Sequence, residues 1–478
     1  MIDKILDPST EKLLNAFGAG GHKPGAGSAA ALQVMLSAKL ILTVIELSGE
    51  EKRKKYYEPI YPQLNEMSAA INSRIYPRLE TLFQQDSEQF HAAIEFRNAR
   101  NKEPKIKLRK NLAQQAKDAL KLAVDTPLEI ANLCIILADY ATFLFNNGFG
   151  TARGDSGVAL HSLIAVIPGC LSIINLNLLS INDEEWIENI TVSVVELKDN
   201  YDRLLSIAAD DLRSLEKEVN KCQSLQKEIK HFRATKLTKP NLTYAGIEDI
   251  AVTVQNLLWK YKDIVLKKTQ IRNAREVLKP KTALEKLFDY EVVYINSLPD
   301  YNLAGELVEI AGIIDNKTKA VGMSKNFPRH VQNFTLAHEL GHALLHRQSV
   351  IHRDRPLDGT MGNVREPIEQ QADKFATYFL MPKKQVKSLF RELFSMDRFT
   401  VNEDNVFALT GNDLKTFRSK HRTPRDLSRF VASVEYLNGT PFKSMADVFN
   451  VSVEAMAIRL EELGLTDKQV KQPSEIYL

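Results

Sequence analysis

The sequence of 478 residues predicts a multidomain protein: an all-α helical bundle, then an α+β domain, then a small helical C-terminal segment. Three observations predict it. From Ser9 to about Leu225, apolar residues recur at three- and four-residue spacing and β-branched runs are short. Between Tyr290 and Met323 the pattern changes to short apolar, β-branched runs bounded by turn residues. At roughly 150 residues per domain, the length supplies about three domains' worth of chain.

Composition narrows the function classes. A hydrophobic fraction of 44% and a charged fraction of 26% exclude wholesale disorder and collagen-like structure. The formal net charge of +3 is too small for a global field toward nucleic acid, and direct nucleic-acid binding is not evident. Cys134, Cys170 and Cys222 form no CxxC pair, which fits a reducing compartment and excludes a thiolate zinc site. Any metal must be held by histidines and carboxylates. The stretch from Met1 to Asp7 carries early acids and no apolar core of a signal peptide, so a cytoplasmic location is expected. The most apolar run, Leu160 to Ile181, is interrupted by His161, Pro168, Asn175 and Asn177 and reads as a buried bundle helix without membrane contact.

Within the bundle, turn residues cluster near residues 18–28, 99–105 and 146–157. Leu212, Leu215, Val219, Cys222 and Ile229 fit either an amphipathic helix on its own bundle or a short heptad seam. Periodicity is lost from Ala234 to Asn241, where Pro240 intervenes, so a boundary is expected there. Helices then run from Ile247 to about Leu266 and from Ala283 to Phe288. Strands follow at Tyr290–Ile295, Glu309–Asp315 and Thr318–Met323, the last two reading as a hairpin. Helices return from about Val331. The expected division is 1–232 for the bundle, 233–246 for a linker, 247–395 for the α+β domain and 396–478 for the helical segment.

The sharpest chemical signal is His338-Glu339-Leu340-Gly341-His342, an HExxH arrangement. Helix positions four apart share a face, so His338 and His342 can turn both imidazoles to one ion, with Glu339 beside them. Zn2+ held by two imidazoles needs a third protein ligand and an open position for the attacking water, whose proton Glu339 would accept as general base. The run Glu369-Gln370-Gln371-Ala372-Asp373 offers Glu369 as third ligand, with Glu366 as rival. Asp373, on the same face as Glu369, is placed to orient a ligand histidine. His346 continues the spacing but lies about 12 Å along the axis from His338, too far to share the ion, and reads as structural or pocket-edge. His330 and His352 read as surface histidines.

Phe334 to His346, with Glu369 to Ala376 and Leu380-Met381-Pro382, resembles the ImmA/IrrE family of zinc metallopeptidases over roughly residues 245–390. Phe442 to Leu460 is similar to the small helical segment that often closes such proteins. The resemblance implies a zincin-like metallopeptidase domain, a cytoplasmic endopeptidase that cuts a specific protein, frequently a transcriptional repressor. It supports His338, His342 and Glu369 as zinc ligands and Glu339 as general base. The family's association with mobile elements points to stress response or phage defence. The segment between Phe394 and Phe417 departs from the compact family pattern, and a helix-turn-helix is not evident at the N-terminus.

The loop Gly18 to Ser28 opens a helix rich in small residues, Ala29, Ala30 and Ala31. Ser28 is expected as its N-cap, and free first-turn N–H groups could hold an anion; tight helix packing is the other reading. This loop, Asp86 with Phe90, Thr126-Pro127-Leu128, Gly154 to Ala159, and Asn175 with Asn177 together resemble the cyclodeaminase/cyclohydrolase family over about residues 5–210. The resemblance implies a helical homo-dimer with a folate-binding groove near Pro24, Gly25, Gly27 and Ser28, and it singles out Asp155. Ala26 and Gly154 depart from the family's usual residues. A peptidase with a sensing or dimerising bundle is therefore the leading expectation, and a folate-type cyclohydrolase or cyclodeaminase is its rival.

Overall fold

Where apolar residues recur at helical spacing, the chain is helical, and glycine, proline and Asn-Lys turns interrupt it. The computed structural model describes residues 8–20, 24–237, 242–266, 271, 273–301, 307–346, 352–354 and 366–467. The chain divides into two compact units, Met1–Lys217 and Glu218–Leu478.

The first unit is all-α. Its helices are α1 (Pro8–Phe17), α2 (Ala26–Gly49), α3 (Lys54–Tyr57), α4 (Tyr61–Ala70), α5 (Tyr76–Lys102), α6 (Ile106–Asn147), α7 (Arg153–Leu178) and the start of α8 (Glu184–Lys236). Ala31, Val34, Ala38 and Ile41 of α2 pack with Leu137, Ala141 and Leu144 of α6 and Leu160, Leu163 and Ile167 of α7. Small side chains on α2 let these helices approach closely. Ala26–Gly49, Ile106–Asn147 and Gly150–Leu178 are long and apolar enough to cross a membrane by length and composition. Their apolar faces supply this bundle core, as expected for Leu160–Ile181.

The second unit begins within α8, whose Leu225, Ile229 and Phe232 join its core. Leu212 and Val219 are 46% and 45% exposed, so this part of the helix is not packed on a bundle of its own. Helices α9 (Tyr244–Lys260), α10 (Lys262–Val265) and α11 (Pro280–Leu287) lead to the strands β1 (Glu291–Ile295), β2 (Pro299–Tyr301), β3 (Leu307–Glu309), β4 (Gly312–Asp315) and β5 (Ala320–Ser324). The expected break after the bundle is shorter than 233–246, because α8 runs to Lys236 and α9 starts at Tyr244; residues 238–241 lie outside the described set. After α12 (Arg329–Leu345), β6 (His352–Asp354) completes a sheet ordered β1-β5-β4-β6, with β1 parallel to β5 and β4 antiparallel to both neighbours.

The expected hairpin is present. Asp315 shapes its turn by accepting the Lys317 N–H at 2.8 Å and the Thr318 hydroxyl at 2.6 Å. The expected single strand Glu309–Asp315 is instead two strands in different sheets. At Ile310 and Ala311 the chain changes partners: Ile310 N–H donates to Leu298 O and Ala311 O accepts from Ser324 N–H. Glu309 is held there by Ser324 Oγ at 2.6 Å and Leu298 N at 2.8 Å.

Helix α12 lays Leu336, Ala337, Leu340 and Leu344 into one core with Ile314, Val321 and Met323. On its other side is α13 (Pro367–Leu380), followed by α14 (Lys383–Phe394), α15 (Glu403–Thr410), α16 (Leu414–Lys420) and α17 (Pro424–Ser433). The hairpin strands β7 (Tyr436–Leu437) and β8 (Thr440–Pro441) precede α18 (Met445–Phe449) and α19 (Val453–Glu462). Phe399, Leu427, Met445, Met456 and Leu460 share the same core. Gly341 lets α12 and α13 meet, since a methyl group there would lie 3.1 Å from the Ala372 Cα.

Candidate metal centre

Helix spacing and the close α12–α13 crossing bring the chemistry-bearing residues together. His338, Glu339 and His342 are fully buried on α12. Glu369 stands in the first turn of α13, after Glu366 at the N-cap and Pro367 at the first helical position. One nitrogen each of His338 and His342 and one carboxylate oxygen of Glu369 all lie within 4.8 Å of one another. His338 Nε2 is 2.9 Å from His342 Nε2 and 3.2 Å from Glu369 Oε2, and His342 Nε2 is 3.4 Å from Glu369 Oε1. This grouping contains Glu369 and not its rival Glu366, which is exposed.

Asp373 Oδ1 lies 3.0 Å from His338 Nδ1. An ionised carboxylate only accepts, so Nδ1 of neutral His338 carries the proton and Nε2 presents a lone pair to His342 and Glu369. Burial raises the Glu369 carboxyl pKa, while His338 and His342 in their protonated forms lower it by hydrogen bonding and charge, and the net direction is downward; once deprotonated, the same Nε2 atoms offer lone pairs. An ionised carboxylate and imidazole lone pairs turned to one point make a donor set that fits a cation such as Zn2+.

Glu339 follows His338 on the helix, and the β4 backbone passes beside it: a methyl group on Gly312 would lie 3.1 Å from Glu339 Oε1. His346, outside the donor group, ends α12 as its C-cap with extended backbone (φ −117°, ψ 118°). Its Nδ1 lies 2.9 Å from His342 Nδ1, and its Nε2 lies 3.1 Å from Gln371 Oε1. Sequence reasoning missed both of these contacts; the only signal was the second step of four residues from His338. His330 lies in the first turn of α12 away from the donors, and His352 has its side chain outside the described residues.

In the first unit the expected N-cap role of Ser28 is corrected. Helix α2 starts at Ala26 with Gly25 at the N-cap, and Ser28 is a buried residue of the first turn. Its backbone N–H donates to Asp86 Oδ2 at 2.8 Å, and its hydroxyl lies 2.9 Å from Phe83 O and 3.1 Å from Asp86 Oδ2. Gly27 also donates its N–H to Asp86, and a side chain at Gly27 would overlap that carboxylate. Two of the first-turn N–H groups expected to be free, those of Gly27 and Ser28, are thus engaged by Asp86 itself. Burial raises the Asp86 carboxyl pKa against these hydrogen bonds. Pro24 and Gly25 lead into this turn, and Asp155 sits half-buried in the first turn of α7. The contacts of Gly27 and Ser28 described above run to Asp86 and Phe83. The Phe90 side chain lies outside the described set.

Residues 9–196 match the family model described as formiminotransferase-cyclodeaminase. Residues 291–403 match a peptidase family model described as the IrrE N-terminal-like domain. The chain joins a cyclodeaminase-like domain to an IrrE-like domain. The IrrE-like match runs from β1 past α14 and so contains His338, Glu339, His342, Glu369 and Asp373. The cyclodeaminase-like match contains the Gly25–Ser28 turn, Asp86 and Asp155. Methenyltetrahydrofolate cyclohydrolase from Methylorubrum extorquens is 26% identical over 180 residues, covering 37% of this chain and 83% of that protein. A solved formiminotetrahydrofolate cyclodeaminase from Thermotoga maritima is 18% identical with a TM-score of 0.38, covering 44% of this chain and 98% of that one.

Proposed function

We propose that the IrrE-like domain is a zinc-dependent endopeptidase acting in the cytoplasm on a specific protein partner, such as a transcriptional repressor or effector. The observation that carries this reading is the convergence of His338, His342 and Glu369 within 4.8 Å beside a buried Glu339. A bound zinc ion would supply Lewis acidity at the scissile carbonyl and make water more acidic. His338, His342 and Glu369 would hold it, and Asp373 fixes the tautomer of His338. Glu339 takes the proton of the attacking water and returns it to the leaving amine. A non-catalytic zinc site needs ligands but no base, so the presence of Glu339 favours a peptidase. The cyclodeaminase-like bundle serves as sensor or homo-dimerisation domain in this reading.

The test co-expresses the protein with candidate partners and compares wild type with Glu339→Gln. Specific cleavage in wild type, and a trapped uncut partner in the variant, are expected. Cleavage unchanged in Glu339→Gln would sink the mechanism. A second reading, a folate-type cyclohydrolase or cyclodeaminase carrying the peptidase as regulator, is favoured by the match over residues 9–196. Asp155-dependent turnover of a folate substrate, with no partner cut, would make it the better one.

A further inference from the structure

The two histidines at the candidate metal position are backed by different groups. Behind His338 stands the Asp373 carboxylate; behind His342 stands another imidazole, with His342 Nδ1 and His346 Nδ1 2.9 Å apart. Two nitrogens at that distance share one proton, so one donates and the other accepts. His342 turns Nε2 to His338 and Glu369, at 2.9 and 3.4 Å, which leaves Nδ1 of neutral His342 as the protonated nitrogen. His346 Nδ1 must then accept. Neutral His346 consequently carries its own proton on Nε2, where Gln371 Oε1 waits 3.1 Å away as an acceptor. With that order each donor in this chain meets an acceptor.

The backbone makes the arrangement feasible. An unbroken helix would carry His346 onward, but its extended backbone ends α12, and the ring centroids of His342 and His346 lie 4.9 Å apart at 53°. His346 is pinned from the sheet as well: its carbonyl accepts from Asn316 Nδ2 at 3.2 Å, and Asn316 Oδ1 accepts from the Tyr290 hydroxyl at 2.9 Å. Gln371 comes from α13, the helix that carries Glu369 and Asp373. One helix therefore supplies the third donor and the outer partners of both histidines, one directly and one through His346.

We propose that His346 is a positioning residue for the metal centre, fixing the tautomer and ring plane of His342 as a neutral relay to Gln371. This deepens the zinc reading and rests on it. A partner behind a ligating histidine typically alters metal affinity by about 10–100-fold. His346→Leu removes the acceptor, whereas His346→Asn offers an amide oxygen near the place of Nδ1.

The experiment measures zinc affinity of the full chain by chelator competition, and the absorption spectrum of the cobalt-substituted protein, for wild type, His346→Leu, His346→Asn and Gln371→Leu. The expected result is an affinity loss of about 10–100-fold and an altered cobalt spectrum in His346→Leu, largely restored in His346→Asn, with a smaller loss in Gln371→Leu. Wild-type affinity and spectrum in His346→Leu would overturn the proposal while leaving the zinc site standing. Equal loss in His346→Leu and His346→Asn, with lowered melting temperatures in both, would assign His346 a merely structural part and overturn it too. A wild-type chain that binds no zinc would overturn the zinc reading itself, and this inference with it.

Discussion

Gly312 of β4 lies against Glu339 of α12 so closely that a methyl group added to the glycine would come within 3.1 Å of Glu339 Oε1 and overlap the Thr335 side chain. The missing side chain on the strand thus defines the space in which the candidate general base stands. Gly312→Ala is expected to displace Glu339, lowering peptidase kcat by up to about 10²-fold. Stability should fall by about 1–3 kcal/mol, the usual range for overpacking. Thr335→Ser deletes the obstructing methyl and should partly restore the rate. A Gly312→Ala enzyme with wild-type kcat would disconnect the strand from the base.

Metal content provides a separate check. One zinc per chain is expected in wild type by elemental analysis, with a large loss in His342→Ala and in Glu369→Ala. Glu366→Ala should keep its zinc, because Glu366 is an exposed N-cap residue outside the donor group. The opposite result for the two glutamates would move the third ligand to Glu366.

Asp183, just before α8, supplies a pH-dependent link in the first unit. Hydrogen bonds from Lys121 and Lys117 hold its carboxyl down at about 2. A lowered folded-state pKa stabilises the fold above the ordinary carboxylate range, and that contribution is lost as pH falls from about 4 toward 2. Carboxyl-carbon NMR should find Asp183 titrating below its free value, and Lys117→Ala with Lys121→Ala should return it upward. A titration near the free value in wild type would remove this link.

Self-association is expected from the resemblance to dimeric cyclodeaminases. Light scattering of the full chain at micromolar concentration should report a dimer. A clean monomer would leave ligand sensing as the remaining role of the bundle.

The local part of the site was legible because it obeys helix arithmetic. His338 with His342, and Glu369 with Asp373, are each four residues apart, and each pair shares a face in the structure. What was not legible depends on distant partners. Ser28 has the composition of an N-cap, but Asp86, 58 residues away, engages the turn and leaves Gly25 at the cap position. The run Glu309–Asp315 is apolar enough for one strand, yet Leu298 and Ser324 draw its two halves apart. His346 looked surplus because a spacing rule gives distance along an axis and says nothing of a helix that ends there.

The carboxylate at the start of α2 turns ligand entry there into a competition. Asp86 reaches the Gly27 and Ser28 N–H groups from α5, tethered through the fold, at a high effective concentration that no dilute solute can match. A folate carboxylate or a phosphate brought to those amides would have to evict it. An anion strong enough to succeed would release the Asp86 carboxyl, whose pKa burial has raised, so that occupancy at the tip of one helix would be announced by the liberated side chain of another.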